Sequence, residues 1–128
     1  VILLTFADVL HIAERVLGEV QVRDAGLLQS AVARPATTVF GEDAYPTVHE
    51  KAAALLQSIV NNHPLVDGNK RLGFVSMLAF YGANGLQLRL TNDAAYDLVI
   101  AVATGELPEI SDISHRLEES VEPWSQIP

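Results

Sequence analysis

The apolar positions of this chain recur mostly at helical spacing. Phe6, Val9, Leu10, Ala13, Val16 and Leu17 lie three or four residues apart, which predicts an amphipathic helix that starts at Thr5 and closes at Gly18. A shorter helix is predicted from Asp24 to Arg34, where Pro35 stops it. Thr47-Val48-His49-Glu50 reads as a capping box. The helix behind it carries Ala52, Leu55, Leu56, Ile59 and Val60 inward, and Pro64 cannot continue it. Gly68 to Asn84 is apolar nearly all round through Leu72, Phe74, Val75, Met77, Leu78 and Phe80, which predicts a helix surrounded by others. Thr91 or Asn92 begins a helix that runs to Thr104 and closes at Gly105. Ser111 begins a last one that ends at Val121 or close to it.

The rest of the chain is short on pattern. Pro35 to Pro46 has no helical period and reads as a loop, long enough to suggest a function. Val1 to Leu4 reads as a short strand. Leu86-Gln87-Leu88-Arg89-Leu90 alternates with period two and is expected to pair with it. The sum is an all-α fold: one compact bundle of five to six helices with at most a short strand pair joining the N-terminus to the middle.

Composition narrows this picture. At 128 residues the chain is expected to form a single domain over 1–128. The net charge is −8, with sixteen acidic and eight basic residues, so nucleic acid is disfavoured as the main partner. There is no cysteine, which rules out disulfides, zinc–thiolate sites and thiol nucleophiles and agrees with a reducing cytoplasm, the expected location. Val1 to Leu4 lacks the basic segment of a secretory signal. The apolar run Leu72 to Tyr81 is far shorter than the roughly 20 residues that span a bilayer, so no membrane association is expected.

The chemistry concentrates in His63-Pro64-Leu65-Val66-Asp67-Gly68-Asn69-Lys70-Arg71, at the junction of two predicted helices. Helix N-termini favour acidic side chains, yet Lys70 and Arg71 fall in a first turn, where each costs about 0.3–1 kcal/mol. A bound anion reverses that sign, because a helix N-terminus with two added cations is a phosphate site. Gly68 lets a backbone approach a ligand closely. His63 is a candidate general base and Asp67 a candidate Mg²⁺ ligand. The plain alternative is a turn and N-cap with solvated cations; on the residues alone both stand. His11, His49 and His115 are read as structural. Other motifs fail. No Gly-rich loop ends in Gly-Lys-Ser/Thr, Ala53 stands where a zincin needs its second His after His49-Glu50, and no Gly-x-Ser-x-Gly elbow exists. A metal-independent RNase fits the residue types, but the acidic charge argues against it.

The stretch resembles the Fic/Doc (Fido) signature, with His63, Asp67, Gly68, Asn69, Lys70 and Arg71 in order and spacing. It looks most like the Doc subgroup, the death-on-curing toxins of toxin–antitoxin modules, in which Lys stands between Asn and Arg. Weaker likeness extends to Phe40-Gly41 and to Ala103-Thr104-Gly105-Glu106. The resemblance implies a Fido fold. It also implies a Mg²⁺- and ATP-dependent protein kinase acting on translation elongation factor Tu, and an antitoxin that restrains it. His63 would deprotonate a target hydroxyl, Asp67 would bind Mg²⁺, and Gly68, Asn69, Lys70 and Arg71 would hold the nucleotide phosphates. Fic-type AMP transfer and a non-catalytic interaction module are the competing readings. Two positions depart from the family pattern: Leu65 replaces the usual Phe, and Phe74 stands where AMP-transferring members carry a second Arg.

Overall fold

Side-chain caps start most of the helices in the computed structural model, which describes residues 1–124. Thr5 opens α1 (Phe6–Leu17) with a full capping box: its hydroxyl accepts from the Asp8 amide, and the Asp8 carboxylate accepts from its own. Asp24 caps α2 (Ala25–Ala33), and a 3₁₀ turn at Arg34–Ala36 follows it. Thr47 starts α3 (Val48–Asn62), but only half the expected box forms, because the Glu50 carboxylate meets the Thr47 hydroxyl rather than its amide. Beyond α3 come α4 (Asn69–Ala83), α5 (Asn92–Thr104) and α6 (Ile110–Ser120). Thr91 is the cap of α5, whereas Glu109, not Ser111, precedes α6, with no side-chain cap bond. The expected all-α bundle is the fold observed.

The surrounded helix is α3, not α4 as the hydropathy predicted. Every residue from Lys51 to Val60 except Gln57 is buried, and α2, α4, α5 and α6 all pack on it. Ala52-Ala53-Ala54 lets neighbours approach closely, and Gly73 of α4 does the same from the other side: a Cβ there would lie 2.7 Å from Val60 Cγ2. Phe74, Val75 and Leu78 of α4 remain half-buried on the outer face. One hydrophobic cluster, including Val9, Leu28, Leu56, Ile59, Phe80 and Leu117, joins all six helices and Leu65 of the site loop. No helix among the described residues is long and apolar enough to cross a membrane.

Two strand expectations are corrected. Val1 to Leu4 is not a strand, because the Ile2 amide and carbonyl are both taken by the Asn84 side chain, at 2.7 and 2.9 Å. A strand at Leu86–Leu88 does form, but it pairs antiparallel with Val121–Pro123, Leu88 opposite Val121. The segment read as a featureless loop holds a small hairpin. Its strands Thr38–Val39 and Glu42–Asp43 pair in antiparallel register, and the turn puts both Phe40 (φ 52°) and Gly41 (φ 80°) in the left-handed region, the hallmark of a type I′ turn. No residue from Ala36 to Asp43 is buried, and Phe40 is fully exposed. Buried polar groups hold the hairpin to α3. The Lys51 ammonium donates to the Tyr45 carbonyl (2.6 Å), Asp43 Oδ2 (3.3 Å) and the Pro35 carbonyl (3.4 Å).

Candidate anion-binding site at the start of α4

The loop between α3 and α4 is shaped by a segment distant in sequence. After α1, residues Gln21 to Asp24 run alongside it. The Val66 amide donates to the Gln21 carbonyl, Val22 bridges Leu65, and the amides of Arg23 and Asp24 both donate to the Pro64 carbonyl. The Arg23 side chain finishes the clamp, with Nε on the His63 carbonyl at 2.7 Å and Nη2 on the Asn62 carbonyl at 3.0 Å. A cation on the free carbonyls of a helix C-terminus is favourable.

Within the loop Asn69 is the brace. Its Oδ1 accepts from the Leu65 amide at 2.9 Å, and its Nδ2 donates to the Leu65 carbonyl at 3.0 Å, all out of solvent. Leu65 is 1% exposed, so leucine fills the core position that the signature gives to Phe. Asn69 therefore turns its amide to the loop rather than to the cavity. Gly68 has a structural reason of its own. Its left-handed backbone (φ 88°) and its close approach to Leu17, whose Cδ1 would lie 2.7 Å from an added Cβ, explain the glycine without a ligand.

The remaining groups converge on a cavity of about 510 Å³ lined by Leu17, Glu19, His63, Val66 and Asp67 through Arg71. Gly68 is the N-cap of α4 and has no side chain to offer, so the first-turn amides of α4 receive no side-chain cap. Neither Asp67 nor Asn69 caps α4: the Asp67 carboxylate accepts from the Gly68 amide (2.9 Å) instead. Lys70 and Arg71 are exposed, and neither has a carboxylate partner among the described residues. The imidazole of His63 is exposed and makes no hydrogen bond to the described residues, while its backbone sits in the left-handed region at φ 51°. Thus the structure brings His63, Asp67, Gly68, Asn69, Lys70 and Arg71 to one cavity, with the side chain of Asn69 spent on Leu65. A second, more apolar cavity of about 420 Å³ adjoins it, sharing Lys70 and Arg71 and adding Phe74, Tyr96, Val99 and Ile100.

Arg23 and Glu19 were not read as site residues. Arg23 acts 40 positions away, and nothing local to Val22-Arg23-Asp24 marks that partner. Glu19 follows the Gly18 stop of α1, where an acid reads as solvated. Of the other histidines, His49 Nδ1 lies 2.9 Å from the buried Tyr81 hydroxyl, whose ionisation burial opposes, while His11 and His115 are exposed outside the cavity.

The helical bundle presents an uncapped helix start, two cations and an imidazole to one cavity. The chain belongs to the Fic/DOC family, whose model matches residues 3–81, from the segment ahead of α1 to Tyr81 of α4. It is also similar to a protein called "Toxin Doc" from Mycolicibacterium smegmatis, with 55% identity over 89 residues that make up 68% of this chain and 68% of that protein.

Proposed function

We propose that the protein is a bacterial toxin that moves a phosphoryl group from Mg-ATP to a hydroxyl of a target protein, translation elongation factor Tu, and so halts protein synthesis in the cytoplasm. The name of the Mycolicibacterium relative supports the toxin reading and, with it, an antitoxin partner that covers the site. One observation carries the chemistry: Lys70 and Arg71 occupy an uncapped helix start across the same cavity as a His63 imidazole with no partner among the described residues. The adjoining apolar cavity, with Phe74 and Tyr96, suits a ligand that joins a polyphosphate to a flat ring.

In this reading the first-turn amides of α4, Lys70 and Arg71 hold the phosphates, and Asn69 and Gly68 position the loop that presents them. His63 takes the proton of the incoming hydroxyl at a ring nitrogen. The oxygen–phosphorus bond forms at the γ-phosphorus as the bond to the bridging oxygen breaks, and ADP leaves. Positioning and charge stabilisation are the main demands of such a transfer, and the groups named supply both. Mg²⁺ fits the donors present. Asp67 is an exposed carboxylate whose second oxygen has no partner among the described residues, Glu19 lines the same cavity, and this ion commonly takes one or two carboxylates with phosphate oxygens completing its shell. When bound there, it would neutralise charge on the phosphates.

ATP carrying label at either the γ- or the α-phosphate tests the reading. Label from γ on the target is expected. Label from α alone means nucleotide transfer and overturns the kinase assignment; Phe74, in place of a second arginine, weighs against that outcome. Growth arrest that survives His63→Ala, with no label transferred, leaves an interaction module. A further prediction concerns the cations. Lys70→Ala and Arg71→Ala should each weaken Mg-ATP binding by roughly ten- to a hundredfold in calorimetry, the range for losing a hydrogen bond to a charged group. Added salt should shrink the difference.

A further inference from the structure

The face of α3 between the hairpin and His63 holds a cation with no anion. Arg34, half-buried where the chain leaves α2, donates from Nε to the Tyr45 hydroxyl (2.9 Å) and from Nη1 to Gln57 Oε1 (2.8 Å), Ser58 Oγ (2.9 Å) and the Ala54 carbonyl (3.5 Å). Its guanidinium carbon lies 5.3 Å from the Tyr45 ring centroid. Every one of these partners is neutral. Among the described residues no carboxylate pairs with Arg34, and Nη2 has no hydrogen-bond partner. In a chain with twice as many acids as bases, a half-withdrawn guanidinium without a carboxylate is out of keeping, because desolvated charges are ordinarily paired. Beside it opens a separate cavity of about 290 Å³, lined by Ser30, Arg34, Gln57, Ser58, Asn61 and Asn62.

Its position gives this cavity a use. Asn61 and Asn62 lie three and four residues beyond Ser58, along one side of α3. Tyr45 joins the cavity to the base of the hairpin, and Asn62 brings it to the residue before His63. A protein segment laid from the hairpin to the imidazole crosses it. The Nη2 amino group, left over among amides and hydroxyls, suits a single carboxylate oxygen. A polyphosphate is better matched by the two cations at the start of α4.

We infer that this cavity receives the carboxylate of an Asp or Glu side chain near the reacting hydroxyl of the protein substrate, and that Arg34 is thereby a specificity-determining residue. The inference rests on the protein-hydroxyl reading above. Two variants neutralise the cavity without touching the start of α4: Gln57→Glu, nearly isosteric and beside Arg34, and Ser30→Asp, from α2. With γ-labelled ATP and elongation factor Tu, both are expected to raise KM for the protein about tenfold, as loss of a close charge pair does, with kcat and Mg-ATP binding within twofold of wild type. A purely structural Arg34 predicts the opposite: Ser30→Asp then only adds an ion pair, Gln57→Glu adds one while giving up its bond to the Pro108 carbonyl (2.7 Å), and KM stays put in both. Independently of any reaction, N-acetyl-glutamate amide titrated into labelled protein should shift the Arg34 Nε–H resonance saturably in wild type but not in Gln57→Glu. An unchanged KM in both variants, or a shift that fails to saturate, overturns the inference. A saturable shift with no label on any protein instead leaves the cavity's ligand standing and removes the transfer reading.

Discussion

His63→Ala is expected to lower label transfer to protein by about 100- to 10,000-fold, the range for losing a positioned proton acceptor, while Mg-ATP binding stays within a factor of a few. The separation follows from the architecture. The imidazole stands at the end of α3, and the groups assigned to the phosphates begin α4. Folding is not the cause of the loss, and a companion variant shows it. At φ 51° a non-glycine residue bears about 1–2 kcal/mol of left-handed strain, so His63→Gly should be as stable as wild type or slightly more so, yet equally inactive. Urea denaturation beside the transfer assay checks both halves. An active His63→Gly protein would remove the imidazole from the mechanism.

Asn69→Ala should have the largest effect on stability of any exchange among the polar side chains of the loop. It strips partners from the Leu65 amide and carbonyl together, both out of solvent. At about 1–3 kcal/mol for each buried group left unpaired, a loss of roughly 2–4 kcal/mol is expected in denaturant unfolding. Asn69→Asp is the sharper probe. It can still accept from the Leu65 amide but sets an acceptor against the Leu65 carbonyl, so it too should be destabilised despite its near-identical shape. Lys70→Ala, one residue on, should unfold like wild type. If Asn69→Ala and Lys70→Ala have equal stability and share only a nucleotide-binding defect, Asn69 is a phosphate ligand and not a brace.

Those two neighbours show what was legible in the chain. The signature singled out His63, Asp67, Asn69, Lys70 and Arg71 together, and all five do line one cavity, though the Asn69 side chain is spent on Leu65. It did not say which member would turn inward, because an Asn beside a Gly suits a cap, a ligand or a brace equally well. The helices were readable because Thr5, Asp24, Thr47 and Thr91 cap them and Gly18 and Gly105 close them. Burial was less so. Hydropathy favoured α4 as the enclosed helix, whereas the alanines of α3 admit neighbours more closely than bulky side chains do. The hairpin escaped notice because two-residue strands have no period and Phe40-Gly41 is not a usual I′ pair. The pairing of Leu88 with Val121 spans a distance that no local pattern encodes.

The clamp from Gln21 to Asp24 has a consequence for how this protein can change. It holds the loop by main-chain bonds and by Arg23, and none of those contacts involves the imidazole of His63, the carboxylate of Asp67 or the cations at 70 and 71. Form and reactivity are therefore written in different residues. A lineage can swap the reactive ones, or silence them, and inherit the same cradle undamaged. An inert copy made in the laboratory should therefore keep the outline of the loop intact.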